Sequence, residues 1–230
     1  VAAEVRSVRN AVGVLEIANY GKHEIKGPGA RDFLARVLAG HLPATGRVTL
    51  SPMLTPKGKL YGDLTIARVD DDHYLILGSG AAQEMHRRWF ERHLPAQGVT
   101  YRNASDALHG VAIAGPRSRE LLQRITRDDV SADGLKFRDV RRTFAGGVPV
   151  FLVRLSFSGE LGFEIYCQPQ FQLALREHVT EAGADLGLKP YGARALMSLR
   201  LEKHWGVWTL DYRPDHTAAE SGLDAFIDWK

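Results

Sequence analysis

The chain has 230 residues and a single cysteine, Cys167. That excludes an internal disulfide framework and any metal site built on several thiolates, and it fits a reducing compartment. No apolar run approaches the roughly 18 residues of a membrane-spanning helix, so no membrane partner is predicted. Lysine and arginine number 30 against 27 acids, a net charge of +3. These basic residues are dispersed, and pairs such as Arg87-Arg88 and Arg141-Arg142 read as solvated faces. A nucleic-acid partner is therefore not predicted. The first residues carry neither an initiator Met nor a secretion signal. The last, Phe226-Ile227-Asp228-Trp229-Lys230, read as an interrupted strand, so the chain reads as an excised piece.

Several catalytic signatures are missing too. There is no Gly-x-Ser-x-Gly elbow, and Cys167 precedes a Gln-Pro break rather than a helix start. Nucleophilic hydrolysis is thus poorly supported. Pro56-Lys57-Gly58-Lys59 has one glycine, no Ser or Thr after the lysine and no following helix, so it is not a P-loop. Gly78-Ser79-Gly80 precedes a helix, but its spacing does not fit a dinucleotide fingerprint, and an N-capping Ser79 accounts for it better. His86 and His93 lie seven apart on one helical face without an acid or cysteine at ligand spacing. Both read as surface residues, and no metal site is expected.

What the chain has is an internal repeat. Lys26-Gly27-Pro28-Gly29-Ala30-Arg31 matches Ala114-Gly115-Pro116-Arg117-Ser118-Arg119, each between an apparent strand and a helix with apolar residues at helical spacing. After the first copy come strands over Leu60–Val69 and His73–Leu77 and a helix over Ala81–His93. After the second come strands over Val148–Leu155 and Gly162–Tyr166 and a helix over Gln170–Gly183. The fold class is therefore α+β: two pseudo-duplicated β-α-β-β-α units with mixed or antiparallel sheets around a central cleft. The halves span 1–105 and 106–190, followed by 191–230, where a helix is expected over Tyr191–His204.

Two carboxylates interrupt apolar strands. Glu164 lies in Ser156-Phe157-Ser158-Gly159-Glu160-Leu161-Gly162-Phe163-Glu164-Ile165-Tyr166. Buried, it needs a partner in the protein or a ligand, because an unpaired buried carboxylate costs several kcal/mol; pointing outward, it is an ordinary surface acid. Asp63 enters an apolar strand after Gly62. It reads either as an edge gatekeeper or as a carboxylate at the mouth of a cleft.

Met53-Leu54-Thr55-Pro56-Lys57-Gly58-Lys59-Leu60-Tyr61-Gly62-Asp63-Leu64, Gly159–Tyr166 and Ser198-Leu199-Arg200-Leu201-Glu202-Lys203 occur in the order of three signatures. Through them the chain resembles the glycine cleavage T-protein (aminomethyltransferase) superfamily. Lys203 and Trp205-Gly206-Val207-Trp208 look most like the folate-binding part of dimethylglycine and sarcosine dehydrogenases or oxidases. The resemblance implies one folate-binding domain over 1–230 that lacks a small C-terminal barrel. It implies one-carbon transfer from an iminium derived from an N-methyl amine to tetrahydrofolate, with a stand-alone aminomethyltransferase, a folate-dependent demethylase or a non-catalytic folate-binding domain as alternatives. By position, Asp63 matches the catalytic aspartate and Glu164 the acid that holds the pterin. Phe157, Met53 and Leu54 match lining positions, and Ser79 is carried as a further folate contact. A folate-contacting arginine of the T-proteins is replaced by Leu196, with Arg194 two residues away. FAD would belong to a fused or associated oxidoreductase and not to this chain. The other partner is a small N-methylated amine, and the compartment is the cytoplasm, or the mitochondrial matrix in a eukaryote.

Overall fold

The computed structural model describes residues 1–230. In chain order its elements are α1 (Ala2–Asn10), β1 (Val12–Glu16), β2 (Gly21–Lys26), α2 (Ala30–Val37), β3 (Arg47–Leu54), β4 (Leu60–Asp70), β5 (His73–Gly78) and α3 (Gln83–His93). There follow β6 (Thr100–Asn103), β7 (His109–Ala114), α4 (Ser118–Ile125), β8 (Val140–Ala145), β9 (Val148–Val153), β10 (Gly162–Cys167), α5 (Gln172–Gly183), β11 (Leu188–Pro190) and α6 (Ala193–Leu201). The α+β class holds, with one all-antiparallel and one mixed sheet. No helix is long and apolar enough to cross a membrane.

Each copy is richer than its sequence suggests. The first runs β2-α2-β3-β4-β5-α3-β6 and the second β7-α4-β8-β9-β10-α5-β11. The strands absent from the sequence reading are β1, which is interior, and β3, β8 and the short β6 and β11, all at sheet edges. Edge position explains the omission of the last four. β3 contains Pro52, which an edge strand tolerates, and β8 exposes Arg142, whose guanidinium lies over the Phe151 ring of β9. The C-terminal residues also differ from expectation: Asp224–Phe226 is a 3-10 turn and 227–230 form no strand.

The chain forms two compact units, and they exchange ends. One comprises residues 1–18 and 106–205; the other comprises 19–105 and 206–230. In the first, the strand order is β11-β1-β7-β10-β9-β8. In the second it is β3-β4-β5-β2-β6. Without β1 the two orders correspond strand for strand, so β1 is an insertion between β7 and β11. It crosses to the later half because it pairs antiparallel with β7 and parallel with β11. Residues 206–230 join the earlier half through the Leu60 N–H to His216 carbonyl bond of 2.8 Å and a cluster of Leu60, Ala82, Trp208, Tyr212, Ala218 and Leu223.

In the first unit α4 and α5 cover one sheet face, over Val111, Ile113, Phe163 and Ile165. Helices α1 and α6 pack on the opposite face, through Val8, Ala195, Leu196 and Leu199 against Ala114. In the second unit α2 and α3 cover the face that bears Leu64, Ile66, Tyr74 and Ile76.

The Gly-Pro frame of the repeat has a steric origin. Gly27 (φ 120°) and Gly115 (φ 129°) adopt backbone open to glycine. A Cβ would lie 2.4 Å from the Gly98 carbonyl oxygen at the first and 2.4 Å from that of Val8 at the second. Gly115→Ala combines that clash with an unfavourable φ, and we expect it to destabilise by about 2–4 kcal/mol in urea denaturation.

Candidate functional site

Glu164 is central to β10 and 5% exposed, so the buried reading holds. Alternate residues share a strand face, which brings Tyr166 beside it, and the Tyr166 hydroxyl donates to Glu164 Oε2 at 2.7 Å. Gly110 stands opposite Tyr166, and a Cβ there would meet its ring at 2.6 Å. Ala112 stands opposite Glu164, and Ala114 and Gly13 continue the row of Gly162. The acid thus lies on a sheet face of small residues, with the Tyr191 ring over Gly13. No cation pairs with it. Burial pushes its carboxyl up to about 7, and the Tyr166 hydroxyl acts in the opposite direction.

The other unit supplies an internal comparison. Glu24 on β2 is also buried, but His73 Nε2 and Lys26 Nζ lie 2.8 Å from its Oε1, and Arg102 Nη2 lies 2.8 Å from Oε2. The His73 contact, with Lys26 and Arg102, holds its carboxyl down to about 2 despite burial. The fold therefore surrounds this buried glutamate with three nitrogen partners. Glu164 receives one tyrosine donor and keeps acceptor capacity, which suits a ligand with paired N–H groups.

Asp63 lies on β4, half-buried, on the face opposite α2 and α3. It makes no ion pair; burial raises its carboxyl to about 7, and its own backbone N–H opposes the shift. The β4–β5 register pairs Thr65 with Leu77, so two residues on, Asp63 and Ser79 reach the same end of the sheet. The expected Ser79 cap is absent: Ser79 precedes a 3-10 turn (Gly80–Ala82), and its hydroxyl makes no capping bond. It is half-buried at the end that carries Asp63.

The remaining positions separate by unit. Phe157 lies in the Glu164 unit, half-buried against the Tyr191–Leu199 cluster. Met53 and Leu54 lie in the Asp63 unit. Met53 departs from the expected ring contact: it is wholly buried in the core beneath α2 and α3, where β-strand alternation directs it. Leu54 packs half-buried beside Leu60 and Trp208. Leu196 is buried in the α6 contact, whereas Arg194 is exposed, so the arginine does not take its place. His86 corrects the sequence reading outright, since it is 0% exposed. Among the described residues no group of three or more His, Cys, Asp or Glu could hold a metal.

Tyr166 escaped the sequence reading, although its i+2 spacing from Glu164 on a strand is the signal that could have found it. Tyr166→Phe removes the one donor to Glu164. We expect a loss of about 1–2 kcal/mol of stability in urea denaturation, the worth of one buried hydrogen bond.

The family described as the GCVT N-terminal domain matches residues 1–230. The mitochondrial dimethylglycine dehydrogenase of Rattus norvegicus is 35% identical over 99% of this chain and 27% of its own length. An aminomethyltransferase of Caldanaerobacter subterraneus subsp. tengcongensis is 31% identical over 98% of this chain and 60% of its length. The chain therefore spans less than two thirds of either relative. The crystal structure of the glycine cleavage system aminomethyltransferase T from Bartonella henselae superposes with a TM-score of 0.87 at 21% identity, over 99% of this chain and 60% of that one. At that identity the likeness speaks for the fold. With a family match along its whole length, this chain belongs to the GCVT N-terminal domain family.

Proposed function

We propose that the chain is a tetrahydrofolate-dependent one-carbon transfer module, acting with an oxidoreductase that converts an N-methyl amine to an iminium. The observation that carries the proposal is Glu164. It is a buried carboxylate with a single tyrosine donor and no cation, in a protein that pairs its other buried glutamate three times over.

Tetrahydrofolate supplies amines that accept a carbon at the oxidation level of formaldehyde. Its 2-amino group and adjacent ring N–H form a donor pair that fits the free acceptor positions of Glu164. In this reading Tyr166 fixes one carboxylate oxygen, so the acid is oriented before the ligand arrives. Phe157 supplies an aromatic surface for the ring. Asp63 accepts a hydrogen bond or a proton at a carboxylate oxygen and stabilises cationic character at the transferred carbon. Its carboxyl, raised to about 7, is matched to exchanging a proton near neutral pH. Ser79 offers a further hydroxyl at the Asp63 end of the sheet. The relatives named dimethylglycine dehydrogenase support a methylated glycine as the amine and an oxidoreductase as the partner. They also support the mitochondrial matrix as the compartment in a eukaryotic source, with the cytoplasm otherwise.

The test is product identity. Full-length protein given dimethylglycine or sarcosine with tetrahydrofolate should yield 5,10-methylenetetrahydrofolate. Formaldehyde released with tetrahydrofolate unchanged would overturn the proposal, and 5-methyltetrahydrofolate would indicate a demethylase.

A further inference from the structure

Beneath Asp63 lies a histidine that no part of the proposed chemistry uses. His86 is on α3 and is fully buried. Its Nε2 lies 3.2 Å from the Tyr61 carbonyl oxygen. That carbonyl sits at an irregularity of the sheet. Met53 pairs with Gly62 and Leu54 with Leu60, so Tyr61 is the extra residue of a β-bulge. A bulge leaves one residue out of the ladder and re-aims the side chains beside it. Here it turns Tyr61 toward α3, where its ring meets Trp89 at 4.9 Å between centroids. Two residues later Asp63 emerges on the opposite face.

Gly62 lets the imidazole approach. A Cβ at Gly62 would lie 2.7 Å from His86 Nε2. The ring is enclosed by His23, 5.9 Å away, and Trp208, 6.2 Å away, both edge-on. Burial lowers its basicity to about 4, with the Tyr61 carbonyl acting in the opposite direction. The imidazole is thus neutral near pH 7. With a carbonyl facing Nε2, the proton resides on Nε2 and the ring donates. Nδ1 has no hydrogen-bond partner.

We propose that His86 is a positioning residue: its Nε2–H holds the Tyr61 carbonyl at the bulge and so sets the direction in which Asp63 leaves the sheet. This rests on the reading of Asp63 as the catalytic acid. A histidine that only fills space would be replaceable by any side chain of similar volume. One that acts through Nε2–H would be replaceable only by a side chain with a donor at the same reach. Glutamine places its amide nitrogen near the Nε2 position and asparagine near Nδ1.

The experiment compares His86→Gln, His86→Asn and Asp63→Asn in full-length protein, with tetrahydrofolate and whichever of dimethylglycine or sarcosine is turned over. We expect His86→Asn to lower kcat 10- to 100-fold with folinic acid Kd within twofold of wild type. We expect His86→Gln to restore kcat to within threefold. Equal kcat in the two His86 variants, with Asp63→Asn inactive, would overturn the positioning role and leave the Asp63 reading standing. Full turnover in Asp63→Asn, or no turnover of either amine by wild type, would overturn both. Should His86→Asn fail to fold, Gly62→Ala displaces the ring from the same carbonyl and should show the same loss of kcat at unchanged Kd; wild-type kcat there would overturn the proposal.

Discussion

Glu164→Gln is expected to weaken folinic acid binding by at least about 100-fold while making the unliganded protein more stable above pH 7. The first effect follows from losing two charge-assisted hydrogen bonds, each worth about 1.5–3 kcal/mol. The glutamine amide would also turn a donor toward a ligand donor. The second effect follows from linkage. The Glu164 carboxyl rises from its ordinary value of 4.5 to about 7 on folding. The folded protein therefore binds that proton more tightly than the unfolded chain, and this contribution to stability is lost as pH rises from 4.5 through 7. At pH 8 the ionised, unpaired side chain costs on the order of 1–3 kcal/mol that glutamine does not carry. At pH 4 the two proteins should be nearly equal in stability. Urea denaturation at both pH values measures this, and a variant less stable at pH 8 would show that Glu164 is structurally paired.

Asp63→Asn is expected to lower turnover about 100- to 10,000-fold, the range for removing a positioned acid–base group, with folinic acid Kd within threefold of wild type. Asparagine keeps the shape and a hydrogen-bond acceptor but neither accepts a proton nor stabilises a cation by charge. Because burial raises the Asp63 carboxyl to about 7, the wild-type rate should fall on the acidic side with a midpoint near pH 7, and that limb should vanish in the variant. Steady-state kinetics from pH 5.5 to 9 would show both. Equal losses in kcat and in binding would instead mark Asp63 as a binding residue.

The groups that resist titration complicate any reading of stability against pH in the wild type. Burial lowers His23 to about 3 and His86 to about 4, so both add stability as pH rises from those values to 6.5. Glu164 and Asp63 act in the opposite direction over an overlapping window. The opposed terms are of similar size, so the variants carry the information and the wild-type curve alone does not.

Much of the fold was legible because the Gly-Pro frame recurs where a strand turns into a helix, and both Gly27 and Gly115 hold backbone that other residues adopt poorly. The central strands β4, β5, β9 and β10 announce themselves by apolar character. The edge strands β3 and β8 do not, because a free edge accepts proline and arginine at no great cost. Nor could local pattern show that β1 would leave its own half for β7, since strand pairing between distant segments leaves no periodic trace. Of the site, Glu164 and Asp63 were visible as acids out of place in apolar strands. His86 was misread because the sequence shows a histidine among arginines on a helix, and only the structure shows Gly62 receding to admit it.

The most direct measurement is calorimetric titration of the full-length protein with folinic acid, run side by side on wild type and Glu164→Gln at pH 8. The account predicts saturable binding at one site per chain in the wild type and its loss, by about 100-fold or more in Kd, in the variant. Equal affinity in the two proteins, or no binding to wild type, would contradict the assignment of Glu164 as the folate-holding acid.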